Sequence, residues 1–268
     1  MIDPSAPGFW SDLIEVLLLG TGQTLYMVAV ALLVTVIVGL PLGIVLVGTE
    51  EGGLFERIGG SRLVGRIVNR VLDFVVNLGR SVPFIIIMIA VIPFTRLIVG
   101  TFIGSTAAIV PLSLVAIPFF ARMVEIAIKE VDGGLVEAAE SLGATRWQIV
   151  SKVLVPEAVA PMILGLSTTV TSIINFSAMV GTVAGGGLGD VAIRYGYLRY
   201  SGIHMIAVII IIFVIVMALQ QVATLFARRY ARRSAPRDSR RSRRGSRSTP
   251  TEQLDRTKET HAITTPRP

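Results

Sequence analysis

The sequence predicts an all-α polytopic membrane protein with five transmembrane helices, with its N-terminus outside and its C-terminus inside the cell. Mean hydropathy is +0.71 and 52% of the 268 residues are hydrophobic, which is typical of integral membrane proteins rather than soluble globules. Five separate apolar segments are long enough to cross a bilayer. Lysine and arginine concentrate in alternate loops, and this is the pattern that orients such segments.

The number of spans follows from segment length. A helix needs about 20 mostly apolar residues to cross the hydrocarbon core of a bilayer. We expect the spans at residues 24–47, 72–94, 103–124, 161–183 and 203–227. Residues 82–94 and 97–120 could also be divided differently around Arg96, which would move boundaries without changing the count.

Basic residues determine the expected orientation. None occurs in residues 1–56, so the N-terminus lacks the basic region of a signal peptide and we expect it to be translocated. The loops predicted to be cytoplasmic carry Arg57, Arg62, Arg66, Arg70, Lys129, Arg146 and Lys152. The opposite loops carry Arg96, Arg194 and Arg199. An outside N-terminus and an inside C-terminus require an odd number of spans, and five satisfies that condition.

The chain divides into a transmembrane domain, residues 1–227, with a cytoplasmic loop at 125–160, and a basic tail, residues 228–268. The tail holds thirteen Lys or Arg and four Asp or Glu, a net charge of +9. Because the whole chain carries +7, the transmembrane domain has a net charge of −2. With almost no large apolar residue, the tail is expected to be disordered. It is interpreted either as a solvated segment that reinforces topology or as a polybasic segment held to anionic membrane lipids. Nucleic-acid binding is disfavoured, because aromatic residues for base stacking do not interleave the arginines.

The chain lacks the residues that several kinds of functional site require. There is no cysteine for a disulfide or a thiolate metal site, and His204 and His261 lie far apart. No lysine follows a glycine, so a G-x-x-x-x-G-K-[ST] phosphate loop is excluded. The glycine run at 185–189 fails the dinucleotide-binding spacing, and we interpret it as a tight external turn. Behind it, Asp190 and Arg194 have the i, i+4 spacing of a helix-surface pair, either near the mouth of a pathway or as a plain interfacial ion pair.

Residues 134–142 predict a short helix in the cytoplasmic loop with a face of small residues. Leu135, Ala138, Ala139 and Leu142 fall on that face at i, i+3, i+4 and i+7, while Glu137 and Glu140 point elsewhere. Small side chains allow close approach of two backbones, which suits docking into a groove of a soluble partner. The alternative is a connector that packs on its own bundle, but the loop is longer than the usual helix–helix connection of about 2–8 residues.

Local signals divide this loop into two helices. Gly143 supplies the left-handed position that ends the first helix, and Thr145 with Gln148 forms a capping box that starts the second. Along the second helix, Trp147, Val150 and Val153 or Leu154 form an apolar stripe that could lie on the membrane interface or on the bundle. Pro156 and Glu157 then suit the first turn of the next span.

At these residues the chain resembles the EAA-loop permeases of binding-protein-dependent ABC importers. Their signature is E-A-A, three residues, Gly, nine residues, then I-x-L-P. Here it reads Glu137-Ala138-Ala139, Gly143 and Val153-Leu154-Val155-Pro156, with valine in place of isoleucine and leucine. The spacing is specific, and a five-span layout matches the smallest members of the family.

The resemblance extends over residues 20–227 and is closest to the methionine-uptake permeases. It is carried by GQTL (22–25), RSVPF (80–84), IPFTR (92–96), ARMVE (121–125), SAM (177–179), GGLGD (186–190) and RYGY (194–197). Phe176 departs from the tyrosine expected before Ser-Ala-Met, so any contact made by that hydroxyl is absent. The long basic tail is also outside the family pattern.

The resemblance implies a type I ABC importer permease fold in the plasma (inner) membrane of a prokaryote. It implies a homodimer on two cytoplasmic ABC ATPase subunits, with an extracytoplasmic methionine-binding (lipo)protein that delivers substrate. ATP and Mg²⁺ would be bound by the ATPase, so no cofactor is expected on this chain. The helix with Ala138, Ala139, Leu142 and Gly143, followed by Pro156, would dock in a cleft of the ATPase. Glu137 would orient or pair at the rim of that cleft.

Polar residues inside spans are costly and tend to face the bundle interior. The fourth span has the most polar centre, and we predict Asn175, Ser177 and Met179 on the translocation pathway. The alternative is helix–helix packing, for which small and hydroxyl residues are also favoured. Asp73, Asn77 and Arg80 could gate the exit or anchor at lipid headgroups, and we favour anchoring.

The predicted function is therefore the membrane-spanning subunit of an ATP-driven importer of methionine or a close derivative. An ATP-independent secondary transporter or channel is the alternative, but it predicts protonatable residues deep in the spans or an inverted repeat of broken helices. An intramembrane enzyme would need a nucleophile with its base, or a group of metal ligands. Without cysteine, and with one histidine outside the tail, this sequence offers few residues for such a site.

Overall fold

The computed structural model describes residues 7–50, 53 and 61–234, and all secondary-structure elements of these residues are helices. The long helices are α1 (Phe9–Gly48), α5 (Ser105–Lys129), α9 (Val159–Val180) and α11 (Gly202–Ser234). The shorter ones are α2 (Arg62–Ser81), α3 (Phe84–Ala90), α4 (Ile92–Val99), α6 (Gly133–Ser141), α7 (Arg146–Ile149), α8 (Val155–Glu157) and α10 (Gly187–Val191). π-Helical turns occupy Val150–Leu154 and Ala192–Tyr197, and a 3₁₀ turn occupies Gly181–Val183.

Four helical stretches of the described residues are long and apolar enough to cross a membrane, and one bent pair of helices adds a fifth candidate. The four are Phe9–Gly48, Ser105–Lys129, Arg146–Val183 and Gly202–Tyr230. The bent pair, Leu63–Ser81 with Phe84–Ala90, turns through 107° at its break. The all-α fold with five spans is thereby confirmed when the bent pair is counted as one span. The predicted tail begins inside α11, which continues to Ser234, and residues 235–268 lie outside the described part of the chain.

The first span begins at Phe9 rather than at the predicted residue 24. The prediction stopped at a polar, glycine-containing stretch, residues 20–24, because glycine weakens a helix. In the structure Gly20 serves close packing instead: a Cβ there would lie 2.9 Å from Cγ2 of Val191. The glycine lets α10 approach α1, and the helix runs through the stretch without interruption.

The predicted continuous second span, residues 72–94, is wrong. The helix ends at Ser81, Val82 takes an extended conformation (φ −88°, ψ 131°), and a new helix begins after Pro83. Proline disfavours the helical conformation of the residue before it and cannot donate to the preceding turn. The break therefore follows directly from the Val82–Pro83 pair.

The core lies where α1, α5 and α9 pack against each other, with α3 closing one side. Its central side chains include Met27, Leu112 and Ile173, each fully buried. Gly43 allows the close contact of α1 with α5, since a Cβ there would lie 2.6 Å from the carbonyl oxygen of Ala121. Close helix contact through small residues is the usual way in which membrane helices gain dispersion energy.

The glycine run after the fourth span forms a tight turn, as predicted, and this turn packs against α1. Gly187 donates its backbone N–H to Oε1 of Gln23 (2.7 Å), and Leu188 donates to Oγ1 of Thr24 (2.8 Å). Gly187 has a positive φ of 77°, which is open to glycine at no steric cost. The predicted helix-surface pair of Asp190 and Arg194 is confirmed, with Oδ1 and Nε 2.8 Å apart.

Candidate coupling helix and translocation face

The loop helix α6 is closed at both ends by its own residues. Asp132 caps its start by accepting a hydrogen bond from the N–H of Gly134 (2.9 Å). At its end the N–H of Ala144 donates to the carbonyl of Ala139 (3.0 Å), and that of Gly143 to Glu140 (2.9 Å). These two bonds form a Schellman motif around Gly143, whose φ is +77°. The predicted left-handed glycine is confirmed.

No residue of α6 is buried. Leu135 is 43% exposed and Leu142, just past the helix end, is 88% exposed. Ala138 is exposed, and Ala139 is half-buried at the edge of the same face. An apolar and small-residue face is thus left open to solvent, although burying it would be favourable. Among the described residues the bundle does not cover it, contrary to the alternative of a connector packed on its own bundle.

The two glutamates of α6 point away from that face. Glu137 and Glu140 line a cavity of about 380 Å³ between α6, the end of α1 and the end of α5. Lys129 and Gly48 line the same cavity. The predicted separation of Glu137 from the small-residue face is borne out by this placement. Its role at the rim of a partner's cleft stays a prediction.

The predicted capping box at the start of α7 is confirmed. Gln148 accepts from the N–H of Thr145 (2.8 Å), and Thr145 accepts from the N–H of Gln148 (3.4 Å). Of the predicted apolar stripe, Val150 is buried, as is its neighbour Ile149, whereas Trp147 is 70% exposed and does not pack on the bundle. The bundle therefore holds this helix through Ile149 and Val150.

Pro156 lies in the first turn of α8, as predicted for a helix start, and the candidate span that contains it begins earlier, at Arg146. A π-helical turn, Val150–Leu154, precedes the proline, and Val155 donates to the carbonyl of Val150. Proline has no N–H to offer the preceding turn, and a π turn is one way in which a helix absorbs such a mismatch.

The predicted pathway residues on α9 fall on two faces. Asn175 is exposed and Met179 is 40% exposed, and both lie on one side of the helix with Thr168 and Ser172. Ser177 is buried, and its hydroxyl donates to the carbonyl of Ile174 (2.7 Å). The structure therefore groups Asn175 with Met179 and turns Ser177 into the packed interior. An exposed polar face on a membrane helix calls for water or another protein surface, since lipid satisfies neither amide nor hydroxyl.

The break in the second span lies beside this face. Phe84, the first residue of α3, stacks on Phe176 with ring centroids 4.7 Å apart and planes 14° apart. Phe176 stands next to Asn175 in the chain, where the resemblance led us to expect tyrosine. The aromatic stack thus holds α3 against α9 at the edge of the polar face.

A cluster of ion pairs at the end of α5 was not found from the sequence. Arg122 pairs with Asp73 of α2 (3.3 Å) and with Glu125 (2.7 Å). Lys129 pairs with Glu125 (2.9 Å) and with Glu50 after α1 (2.7 Å). Asp73 is therefore part of a helix–helix contact, and its interpretation as a headgroup anchor stays a prediction. The i, i+3, i+7 spacing of Arg122, Glu125 and Lys129 was the signal that could have revealed the cluster.

Two further polar residues of α2 lie on the side of Asp73. Asn77 donates its amide to Oδ2 of Asp73 (3.0 Å), and the guanidinium of Arg80 lies 5.8 Å from the ring centroid of Phe119. Within the described residues, no group of three or more His, Cys, Asp or Glu side chains forms a metal site. The described polar residues thus form contacts between helices and one open polar face.

Comparison with known proteins places this architecture in a family. Residues 52–232 match the family model described as binding-protein-dependent transport system inner membrane component. The chain belongs to this family. It is therefore a multi-pass, membrane-spanning permease subunit of a transport system, which confirms the resemblance stated from the EAA motif.

The most similar relatives include probable D-methionine transport system permease proteins, MetI, from two bacteria. The protein from Vibrio cholerae is 50% identical over 208 residues, which cover 78% of this chain and 89% of the relative. That from Pasteurella multocida is 48% identical over 193 residues, covering 72% and 83%. The D-methionine transport system permease protein of Escherichia coli K12 is 42% identical over 177 residues, covering 66% and 76%.

Solved structures agree with these relatives. A chain of the MetNI methionine ABC transporter in inward-facing conformations is 38% identical, with a TM-score of 0.77, over 82% of this chain and 98% of that one. An amino acid ABC transporter shares only the fold, at 19% identity and a TM-score of 0.67. The predicted all-α ABC importer permease fold is confirmed by the first match.

Proposed function

We propose that this permease imports methionine, as the D- or L-form or a close derivative, into the cytoplasm at the expense of ATP hydrolysed by a separate subunit. It would act as a homodimer on two cytoplasmic ABC ATPase subunits, and an extracytoplasmic binding protein would deliver the substrate. The names of the MetI relatives and of the MetNI transporter support the substrate and the ATPase. The uncovered small-residue face of α6 is the observation that carries the coupling role.

The geometry of α6 suits a docking element. Both of its ends are capped by residues of its own segment, Asp132 at the start and Gly143 with Ala144 at the end. Ala138 and Ala139 present little bulk, which allows a groove to approach the backbone closely. Glu137 lies off this face and would be placed at the rim of such a groove.

Substrate would cross along the open face of α9. Asn175 offers both a donor and an acceptor, and Met179 offers a soft apolar wall that adapts to a flexible thioether side chain. Ser177 was predicted on the same pathway, and in this proposal it supports the helix through its bond to Ile174. ATP and Mg²⁺ would be held by the partner ATPase, with no cofactor on this chain.

Arginine at the docking face tests the coupling role. We expect Ala138→Arg and Ala139→Arg to abolish ATP-dependent methionine uptake, because a long charged side chain keeps the two backbones apart. Membrane abundance should stay normal, since Ala138 is exposed and no residue of α6 is buried. Ser151→Arg, at an exposed position of the following helix, is the control and should retain uptake. Normal uptake by both alanine variants at normal abundance would overturn the coupling role.

Reconstitution tests the energy source and the substrate. The permease with its ATPase and binding protein, in lipid vesicles, should accumulate labelled methionine only when ATP is present. Uptake by the permease alone would instead support an ATP-independent transporter or channel. Competition by unlabelled D- and L-methionine, with leucine as a comparison, would define the substrate.

A further inference from the structure

The ion pairs at the end of α5 form one chain of charges, hereafter the charge chain. Its members in order are Asp73, Arg122, Glu125, Lys129 and Glu50. Three of them lie on one side of α5, and the two ends belong to α2 and to the residues that follow α1. The charge chain therefore ties three separate stretches of the polypeptide together at one level of the bundle.

Glu125 is the centre of the charge chain. It is only 5% exposed, and its two carboxylate oxygens accept from different cations, Oε2 from Arg122 (2.7 Å) and Oε1 from Lys129 (2.9 Å). Charge-assisted bonds of this length are among the stronger polar contacts in proteins. Burial of a carboxylate carries a desolvation cost, and the two short bonds to cations offset it here. Removing one partner of such a buried pair leaves an uncompensated charge and is strongly destabilising.

Neutral contacts join the same three helices. The amide of Asn69 on α2 donates to the carbonyl of Leu46 (2.8 Å) and to Oγ1 of Thr49 (3.1 Å). Gly79 fits against Pro118, since a Cβ there would lie 2.7 Å from Cγ of the proline. The helices α1, α2 and α5 are therefore held together both by direct packing and by the charge chain.

The charge chain stands between the coupling helix and the break in the second span. Lys129 is the last residue of α5, and Asp132, the cap of α6, follows shortly after it. In the other direction, α2 runs from Asp73 to the break at Val82, beside the Phe84–Phe176 stack at the open face of α9. A displacement of α6 can therefore reach the open face of α9 through α5, the charge chain, α2 and the Phe84–Phe176 stack.

We propose that Glu125 is a positioning residue that makes the end of α1, the middle of α2 and the end of α5 move as one body with α6. A movement of α6 imposed by the ATPase would then reach α2 and the break beside Asn175. Without the charge of Glu125, α5 could shift relative to α2 while each helix kept its own fold. This inference rests on the proposed function, because it assigns the path by which ATP hydrolysis drives that same transport.

The experiment compares transport with ATP hydrolysis in lipid vesicles that hold the whole complex. Glu125→Gln keeps the size of the side chain but removes the charge that both cations share. We expect methionine taken up per ATP hydrolysed to fall at least about fivefold, the lower range of coupling between distant sites, while ATP hydrolysis continues. Glu125→Asp keeps the charge and should recover most of the ratio. Glu130→Gln removes a charge from an exposed neighbour with no ion pair among the described residues, and should match the wild type.

A second variant covers the case in which Glu125→Gln does not fold. Asp73 lies at the half-exposed end of the charge chain, and Asp73→Asn removes the ion pair between α2 and α5 while leaving Glu125 paired with both cations. The ratio of uptake to hydrolysis should fall with it as well, at unchanged abundance. A wild-type ratio in the folded Glu125→Gln protein, or in Asp73→Asn, overturns the inference. Absence of ATP-dependent uptake in the wild-type complex overturns instead the proposed function.

Discussion

Two short helices of this permease, α6 and α10, both begin at glycine but meet opposite surroundings. Gly187, Leu188, Gly189 and Val191 of α10 are buried, and backbone N–H groups at its start donate to side chains of α1. No residue of α6 is buried, and the backbone groups at its ends are satisfied within its own segment. Helix α10 is therefore part of the core, and α6 lies outside it.

The difference explains what the glycines do in each place. In α10 the absence of a side chain is a packing requirement, because the backbone of Ala178 occupies the space at Gly189 and the side chains of Met27 and Thr24 occupy it at Gly187. In α6 a Cβ at Gly133 would meet nothing within 4 Å, so glycine there is not demanded by the bundle. A helix with open space around it and closed ends is suited to receive a partner, whereas a helix like α10 is suited to fix two spans together.

The largest expected effect is on α10. Gly189→Val would place side-chain atoms against the carbonyl of Ala178, and backbone there cannot move without moving α9. We expect a loss of about 3 kcal/mol or more, the upper range for overpacking, and little folded protein. Thermal unfolding and monodispersity in detergent measure it. Gly133→Val on α6 is the matched variant and should unfold like the wild type; equal behaviour of the two would remove the contrast between the helices.

A smaller effect is expected from the hydrogen bond that holds α10 to α1. Thr24→Val keeps the shape of the buried side chain but leaves the N–H of Leu188 without its partner. An unsatisfied buried donor costs about 1–3 kcal/mol, which corresponds to a fall in Tm of several degrees. Thr24→Ser retains the hydroxyl and should recover most of the stability. Thr21→Val should have little effect, since its hydroxyl bonds only within α1; a fall in Tm as large as that of Thr24→Val would show that the tie to α10 is not the cause.

The smallest global effect is expected at the end of α6. Gly143→Ala forces a Cβ into the left-handed region at φ +77°, at a cost of about 1–2 kcal/mol. Because α6 is not part of the core, we expect Tm to stay unchanged while the amides of Gly143 and Ala144 lose hydrogen-exchange protection and uptake falls. Gly143→Asn, which tolerates this conformation better, should be milder. A fall in Tm with unchanged exchange at these amides would contradict the independence of α6.

Features that depend on neighbouring residues were predictable from the sequence. Gly143 as a helix end and the Thr145–Gln148 capping box each depend on side chains within a few positions, and both appear as expected. The pair of Asp190 and Arg194 is of the same kind. Sequence spacing alone sets these geometries, because a helix fixes the distance between residues three or four apart.

Features that depend on distant contacts were missed. Gln23 and Thr24 reach residues 164 positions away, and Lys129 reaches Glu50 at a separation of 79. No local pattern identifies such partners, so the packing of the glycine run on α1 and the ion pair of Asp73 with Arg122 were not predicted. The break at Val82–Pro83 is different, because its signal was present in the dipeptide and hydropathy was given more weight. Similarly, Ser177 and Asn175 were grouped by polarity although their spacing places them on different faces of α9.

The length of α1 has a mechanical consequence. Its 40 residues form one helix of about 60 Å, twice the thickness of the hydrocarbon core. One tip contacts His204 through the ring of Phe9, and beyond the other tip Glu50 holds Lys129. If the helix tilts as one piece, without bending at Pro41, a rotation of about 5° around its midpoint carries each tip through roughly 2.6 Å, in opposite directions. A small rotation that begins at one tip of α1 would thereby displace the other tip by a distance comparable to the length of a hydrogen bond.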